Sequence, residues 1–249
     1  MNEMGLINRY LNLLEASLVG TLYHDPPSDP WAGTTYNPTF RALGRDWPAL
    51  AQTMIGTARM RNLRVSCETS ILDGVRGDFI ETGVWRGGAC IFMKGIVEAY
   101  GDNERRVFVA DSFMGLPQPD AEKYAADAGD MHHSYKQLAV SRKDVEDNFK
   151  NYRLLDDRVI FLEGWFKDTL HCAPIEKLAV LRIDGDMYES TIQALDALYS
   201  KVSPGGFVII DDYFLRPCAQ AVNEFRSTHA IQEPILPIDG MGAYWRLDS

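Results

Sequence analysis

Short apolar runs alternate with helical stretches from residue 78 onward, and this alternation constrains the fold more than any other feature. The β-rich runs are Asp78–Thr82, Val107–Asp111, Arg158–Glu163, Ala179–Ile183 and Phe207–Ile210. Most are separated by enough residues for a helix, and apolar residues from Ile192 to Val202 repeat with the helical period. The chain closes with a predicted antiparallel hairpin of Glu233–Ile238 and Ala243–Leu247. Because strands joined by helices form parallel sheets covered on both faces, we predict an α/β fold.

The N-terminal segment does not follow this rhythm. Its apolar residues from Leu11 to Leu18 lie on one face of a predicted helix. The length suits one α/β domain over residues 1–249, with 1–70 as a helical extension and 71–249 as the core. Capping the sheet, covering a ligand and forming a subunit interface are all open roles for the extension.

The composition excludes several classes of function. Twenty-five basic residues against 35 acidic ones give a net charge of −10, which disfavours nucleic acid as a partner. The first residues carry charges where a signal peptide needs an apolar run, and no run of ~18 apolar residues occurs elsewhere. The four cysteines lack zinc or disulfide spacing. We therefore expect a cytoplasmic protein that binds neither nucleic acid nor membrane.

A glycine-rich turn follows the first strand. Glu81 precedes Gly83, Gly87 and Gly88, and such glycines let the backbone approach a ligand closely. The spacing G-x-x-x-G-G differs from G-x-G-x-x-G, which disfavours a dinucleotide site, and a purely structural turn remains an alternative. At the end of the second strand, Asp111 is placed to bind the ribose hydroxyls of a nucleoside.

Four aspartates follow the fourth and fifth strands. Asp184, Asp186, Asp211 and Asp212 converge on one rim of the sheet if these strands are neighbours. Carboxylates crowded in this way must protonate, separate or hold a cation. Oxygen ligands favour Mg²⁺ first, then Mn²⁺ or Ca²⁺, although helix and turn capping is the alternative role.

A polar loop after the second strand contains two histidines. His132 and His133 are candidates for a substrate lid over Pro117–Ser134, although a loop histidine is more often solvated. The chain has no G-x-S-x-G elbow, P-loop or H-E-x-x-H motif. A nucleoside pocket beside a metal suits transfer from a nucleoside cofactor to a hydroxyl group.

Six ordered motifs together resemble the macrocin O-methyltransferase family: Thr53–Gly56, GDFIETGVWRGGACIF, VADSF, LLDDRVIFLEGWFKDTL, LRIDGDMYEST and SPGGFVIIDDY. The resemblance extends from about Asn8 to Arg246. It implies a Rossmann-like seven-stranded sheet of order 3-2-1-4-5-7-6 with strand 7 antiparallel. It also implies S-adenosylmethionine and a divalent metal, usually Mg²⁺, as cofactors for methylating a sugar hydroxyl. A homo-oligomer with the N-terminal extension in the contact is expected on the same grounds.

The resemblance assigns roles to individual residues. Those implied to bind the cofactor are Glu81, Gly83 and Gly87 at the methionine end, Met54, Ile55 and Thr57 over it, Asp111 and Ser112 at the ribose, Gly164, Trp165 and Phe166 near the adenine, and Asp184. The implied metal ligands are Asp184, Asp211 and Asp212. Asp186 is the candidate general base, with His132 or His133 as the alternative. Trp165 and Phe166 have core packing as an equal alternative.

The expected acceptor is a sugar hydroxyl of a glycosylated natural product or an activated deoxysugar. A metal-dependent methyltransferase for catechols or phenols is an alternative, because any two adjacent hydroxyls can chelate a cation. A non-catalytic nucleoside-binding scaffold is an alternative of a different class, since fold alone does not prove activity. The glycine spacing disfavours an NAD-dependent oxidoreductase.

Overall fold

One mixed sheet forms the centre of the computed structural model, which describes residues 3–248. Within those residues its strands are β1 (Asp78–Thr82), β2 (Val107–Asp111), β3 (Val159–Glu163), β4 (Leu178–Ile183), β5 (Val202–Ile210), β6 (Leu236–Pro237) and β7 (Ala243–Arg246). Their order across the sheet is β3-β2-β1-β4-β5-β7-β6. Strands β1 to β5 run parallel, and β7 is antiparallel to β5 and β6. The predicted fold class is confirmed, while residues 1–2 and 249 of the predicted domain lie outside the described residues.

The helices precede or connect these strands. They are α1 (Glu3–Leu18), α2 (Pro38–Ala42), α3 (Gly56–Leu72), α4 (Gly88–Ala99), α5 (Arg142–Asn151), α6 (Phe166–Thr169), α7 (Tyr188–Leu198) and α8 (Arg216–Thr228). Short 3₁₀ turns occupy Ala125–Asp127, His132–Ser134 and Lys136–Leu138 in the loop after β2, and Leu170–Cys172 and Tyr199–Lys201 elsewhere. The local sequence explains where some helices begin. The Asn37 side chain, for example, accepts hydrogen bonds from the first backbone N–H groups of α2.

Two strand predictions need correction. The strand predicted to begin at Phe207 begins at Val202. The helix predicted to extend to Val202 ends earlier, at Leu198. Backbone pairing supplies the reason: Val202 lies in register with Leu178 of β4, and an irregularity between Leu178 and Val180 lets the pairing resume at Phe207. The hairpin strand β6 is only two residues long.

Apolar side chains cover both faces of the sheet. On one face α1, α3, α4 and α5 enclose a cluster that includes Leu11, Leu18 and Phe92, all fully buried. On the other face α7 and α8 pack against β4 and β5. Each such buried side chain contributes about 1.5–3 kcal/mol. The predicted apolar face of α1 is therefore a core face, and no helix among residues 3–248 is long and apolar enough to cross a membrane.

Candidate active site

A cavity of about 1050 Å³ opens at the carboxyl ends of β1, β2, β4 and β5. This is where ligands bind in open α/β sheets. Its volume slightly exceeds the ~300–1,000 Å³ that is usual for the site of one small ligand. The cavity therefore has room for a cofactor and an acceptor together.

The turn after β1 brings its backbone against the strand beside it. Gly83 has a φ of 85°, and a Cβ there would lie 1.6 Å from the carbonyl oxygen of Asp184. Gly87 has a φ of 83°, and its Cβ would lie 2.7 Å from Val145 Cγ1. Between them Trp85 holds a φ of 46°, which is strained for a residue with a side chain. Only glycine fits the two outer positions, so the turn has a fixed shape at the cavity wall.

The carboxylate of Asp111 ties two loops together. Its Oδ2 accepts a hydrogen bond from the Val84 N–H at 2.8 Å, and its Oδ1 accepts one from the Phe113 N–H at 2.7 Å. Burial raises the pKa of Asp111, and these backbone donors oppose that rise. Ser112 Oγ donates to the Gly115 carbonyl at 2.7 Å. Each Asp111 oxygen keeps acceptor capacity toward the cavity that it lines.

A buried network of charges lies beneath the cavity floor. Arg182 on β4, 1% exposed, donates to Glu81 on β1, to Asp184 at 3.0 Å and to Asp211 after β5. Arg59 in the first turn of α3 donates to Asp211 and also, at 3.1 Å, to Asp239. Burial raises the pKa of Glu81 while the Arg182 guanidinium opposes that rise. The network connects the predicted cofactor end of the site with the aspartate rim.

The four aspartates that follow β4 and β5, called the aspartate rim, consist of a cluster of three residues and one residue that pairs with two arginines. Carboxylate oxygens of Asp184, Asp186 and Asp212 all lie within 4.8 Å of one another, which is close enough to hold one metal ion. Asp211 is 3% exposed, and Arg59 and Arg182 occupy both of its oxygens. This grouping differs from the predicted ligand set at two positions, because Asp186 lies in the cluster and Asp211 lies outside it.

Crowding and burial raise the affinity of the cluster for protons. Burial and the charges of Asp211 and Asp212 raise the pKa of Asp184 well above its usual range. Burial and the charges of Asp184 and Asp211 raise the pKa of Asp186 to about 8. Burial and Asp186 likewise raise the pKa of Asp212. Arg182 offsets only part of this crowding through its contact with Asp184, and a divalent cation is suited to offset the rest.

Backbone geometry aims Asp186 into this cluster. The residue has a φ of 55°, and its N–H donates to Asp212 Oδ2 at 3.1 Å. Non-glycine residues adopt such conformations at a cost of ~1–3 kcal/mol and do so most often at functional sites.

The loop after β2 contributes to the cavity lining and is held at two points. Asp127, almost fully buried, accepts the N–H groups of Tyr188 and Glu189 at 2.7 and 2.9 Å, and so caps α7. Farther along, Trp85 Nε1 donates to the Gln137 carbonyl at 2.8 Å. His132 lines the cavity, and its Nδ1 lies 2.6 Å from Asp130 Oδ2.

Most of the predicted site residues line this one cavity. Those that do are Met54, Ile55, Glu81, Gly83, Asp111, Ser112, His132, Trp165, Phe166, Asp184, Asp186, Asp211 and Asp212. Thr57, Gly87, Gly164 and His133 lie outside the lining. Phe166 also packs against the core, so both interpretations of that residue apply.

Three structurally important residues escaped the sequence analysis. Arg182 lies in an apolar run that was predicted to be a buried strand. Because a buried charge must be paired, its position alone indicated an acidic partner in the fold. Arg59 and Asp127 carried no local signal, since their partners Asp211 and Tyr188 are distant in sequence.

Comparison with known proteins identifies close relatives. A family model described as Macrocin-O-methyltransferase (TylF) matches residues 17–247. The chain is 49% identical over 239 residues to the 8-demethyl-8-(2,3-dimethoxy-alpha-L-rhamnosyl)-tetracenomycin-C 4'-O-methyltransferase of Streptomyces olivaceus, with coverage of 95% of this chain and 92% of that protein. It is 50% identical over 242 residues to the demethyldecarbamoylnovobiocin O-methyltransferase of Streptomyces niveus, with the same coverage. Among solved structures, the O-methyltransferase NovP matches with a TM-score of 0.94 and 49% identity, over 98% of this chain and all of that one.

Proposed function

Because the chain belongs to the macrocin O-methyltransferase family, we propose that it uses S-adenosylmethionine and a divalent cation to methylate a sugar hydroxyl of a glycosylated natural product. The relatives are named as O-methyltransferases, so the chain is an enzyme of this class and the scaffold alternative is wrong. Their names also describe acceptors that are natural products, one of them rhamnosylated, which favours a sugar over a catechol.

A single observation carries the proposal. One cavity holds both the glycine turn with Asp111 and the carboxylate cluster of Asp184, Asp186 and Asp212. A methyl donor bound at the first group and a hydroxyl held at the second would meet in that cavity. Alignment of two reactants in this way supplies much of the rate enhancement in group transfer.

The cofactor half of the cavity has the groups that S-adenosylmethionine needs. When bound, that cofactor supplies a methyl group on a positively charged sulfur, which is already an activated electrophile. Asp111 has acceptor capacity left for ribose hydroxyls, and the half-buried Trp165 and Phe166 would offer apolar surface to an adenine ring. The absence of a side chain at Gly83 lets this turn pack directly against the Asp184 carbonyl, which places its backbone at the cavity wall.

The carboxylate cluster is a suitable donor set for Mg²⁺, with Mn²⁺ or Ca²⁺ as alternatives. Asp184 and Asp212 belong both to the predicted ligand set and to the cluster, and we assign them as ligands. Asp211 stays a predicted ligand that must first exchange its arginine partners. When bound, the cation acts as a Lewis acid that lowers the pKa of an acceptor hydroxyl and orients it.

Asp186 is the proposed general base. Its left-handed backbone and its N–H bond to Asp212 direct the residue into the cluster, where an acceptor hydroxyl would lie. His132 is the alternative, because Asp130 holds its Nδ1 and its Nε2 remains available in the cavity. His133 lies outside the lining and is the weaker alternative.

Calorimetry and kinetics on matched variants test these assignments. The wild-type chain should bind S-adenosylmethionine and lose turnover in a chelator. Asp186→Asn should abolish turnover and keep affinity for the cation, whereas His132→Gln should keep turnover. Loss of activity in His132→Gln with retention in Asp186→Asn would transfer the base to the histidine.

Three further predictions from the sequence accompany this function. The chain is expected to act in the cytoplasm, to form a homo-oligomer and to fold as one domain. Size-exclusion chromatography with light scattering tests the second of these directly.

A further inference from the structure

Asp186, the proposed general base, lies at the centre of a strained backbone turn. Its φ is 55°, and the N–H of Met187 donates to the carbonyl of Gly185 at 2.5 Å. A hydrogen bond that spans one residue with positive φ is typical of a rare and strained form of the γ-turn. Strain of this kind persists only where surrounding contacts hold the backbone in place.

The sheet and the next helix hold this turn on two sides. The Asp186 N–H donates at 3.1 Å to Oδ2 of Asp212, which follows β5. On the other side, Gly185 packs so closely against α7 that an added Cβ would lie 2.9 Å from Ser190 Cβ. The conformation of the turn therefore depends on where α7 begins.

The beginning of α7 is held by a residue from a distant segment. The helix's own N-cap residue, Met187, makes no side-chain hydrogen bond to it. Asp127, 1% exposed, supplies the acceptors instead: Oδ1 accepts the Tyr188 N–H at 2.7 Å and Oδ2 accepts the Glu189 N–H at 2.9 Å. A carboxylate at this position also interacts favourably with the helix dipole. The first turn of α7 is thus fixed by a side chain 61 residues earlier in the chain.

Asp127 belongs to the loop after β2, which also lines the cavity. Several residues of this loop, His132 among them, are lining residues. The loop has a second contact with α7, because the ring centroids of Tyr124 and Tyr188 lie 5.9 Å apart. The segment that an acceptor in the cavity would touch is therefore the one that fixes the helix behind Asp186.

Loss of Asp127 would release this turn. Two backbone N–H groups would lose their acceptors, and a shift of the first turn of α7 toward water would recover hydrogen bonds for them. The same shift relieves the positive φ of Asp186 and turns its carboxylate away from Asp184 and Asp212, which repel it while the cluster is empty. A cation on those two ligands would oppose that repulsion but would offer no acceptor to the N–H groups. Comparison of variants at saturating Mg²⁺ separates the two effects.

We propose that Asp127 is a positioning residue for methyl transfer, which holds the strained turn of Asp186 through the start of α7. This inference rests on the proposed function, in which Asp186 is the general base. It means that the base is in place only when the loop after β2 is seated against α7. An acceptor that fits this loop is then favoured through kcat as well as through binding.

Crystal structures of the full wild-type chain and of Asp127→Ala, both with Mg²⁺ and S-adenosylmethionine, test the inference without any acceptor. In Asp127→Ala the φ of Asp186 should become negative, and its carboxylate should move out of reach of Asp184 and Asp212. Asp127→Asn keeps an acceptor oxygen and nearly the same volume, so it should show a smaller displacement. It also provides a second variant should Asp127→Ala fail to fold.

Kinetics give a readout that a merely structural role would not move. With p-nitrophenyl α-L-rhamnoside as the acceptor probe, kcat should fall at least roughly tenfold in Asp127→Ala and less in Asp127→Asn. The KM for the probe should stay the same, as should the Kd values for S-adenosylmethionine and Mg²⁺ by calorimetry, because Asp127 contacts none of these ligands in the proposed site.

Asn37→Ala is the matched control, because Asn37 also accepts two backbone N–H groups at the start of a helix, α2, and lies outside the cavity lining. It should lower Tm and leave kcat unchanged. An Asp186 turn that keeps its φ and its place in the cluster in Asp127→Ala would overturn the inference, as would a loss of kcat no larger than that of Asn37→Ala. Wild-type turnover in Asp186→Asn would instead refute the base assignment of the proposed function, and the crystal structures would still decide whether Asp127 holds the turn.

Discussion

Removal of Arg182 should destabilise the fold far more than removal of a comparable surface arginine. Its guanidinium is 1% exposed and lies between Glu81, Asp184 and Asp211, of which Glu81 and Asp211 are buried. In Arg182→Met the side chain keeps much of its volume, but these carboxylates lose their shared counter-charge. Breaking a buried ion pair from one side costs about 3–5 kcal/mol.

That loss is a large share of the ~5–15 kcal/mol by which native proteins are stable. For a chain of this size, 1 kcal/mol shifts Tm by roughly 2–4 °C, so the expected fall is about 6–20 °C. The matched control is Arg142→Met, because Arg142 also pairs with two carboxylates, Glu146 and Glu163, but is 43% exposed. Surface pairs of this kind contribute ~0–1 kcal/mol.

Urea denaturation of the wild-type chain and both variants measures the difference. The midpoint should fall in Arg182→Met with an unchanged m-value, since the surface exposed on unfolding is the same. The buried network does not hold β1, β4 and β5 together if the free energies of unfolding of Arg182→Met and Arg142→Met differ by less than about 1 kcal/mol.

Three other predictions concern the site. Asp184→Ala should abolish metal-dependent turnover while S-adenosylmethionine binding by calorimetry survives, and chelator-insensitive activity in this variant would contradict the metal assignment. Asp111→Ala should weaken S-adenosylmethionine binding about 10- to 150-fold, from the ~1.5–3 kcal/mol of hydrogen bonds to a charged group, and an unchanged Kd would remove its ribose role. Gly83→Ala should lower the free energy of unfolding by at least ~2 kcal/mol, because its Cβ would overlap the Asp184 carbonyl, while Gly101→Ala, at a φ of 67° with open space, should lose less.

Local sequence patterns were sufficient to predict the fold class, the bounds of two strands and the buried faces of the helices. The bounds of β1 and β2 agree with the predicted runs, because each run is a continuous buried segment ended by a polar residue and a turn. The faces of the helices follow the same logic, as Leu11 and Leu18 of α1 show. Asp184 and Asp211 lie side by side because β4 and β5 pair with Ile183 opposite Ile210. The carboxyl ends of the parallel strands and the apolar faces of the helices depend on neighbours in the sequence, so the sequence predicts them.

The roles within the rim were decided by tertiary structure. Asp211 differs from Asp212 through its contact with Arg59, which is 152 residues away in the chain. Such a pairing depends on where α3 packs against the sheet and on which long side chains can then reach a buried carboxylate. The contacts of the Trp47 ring with Trp31 and Tyr135 have the same origin, since these residues meet only where two loops come together at one cavity. The sequence by itself determined which groups stand at the strand ends, whereas desolvation and long-range packing determined which of them stay free for a ligand.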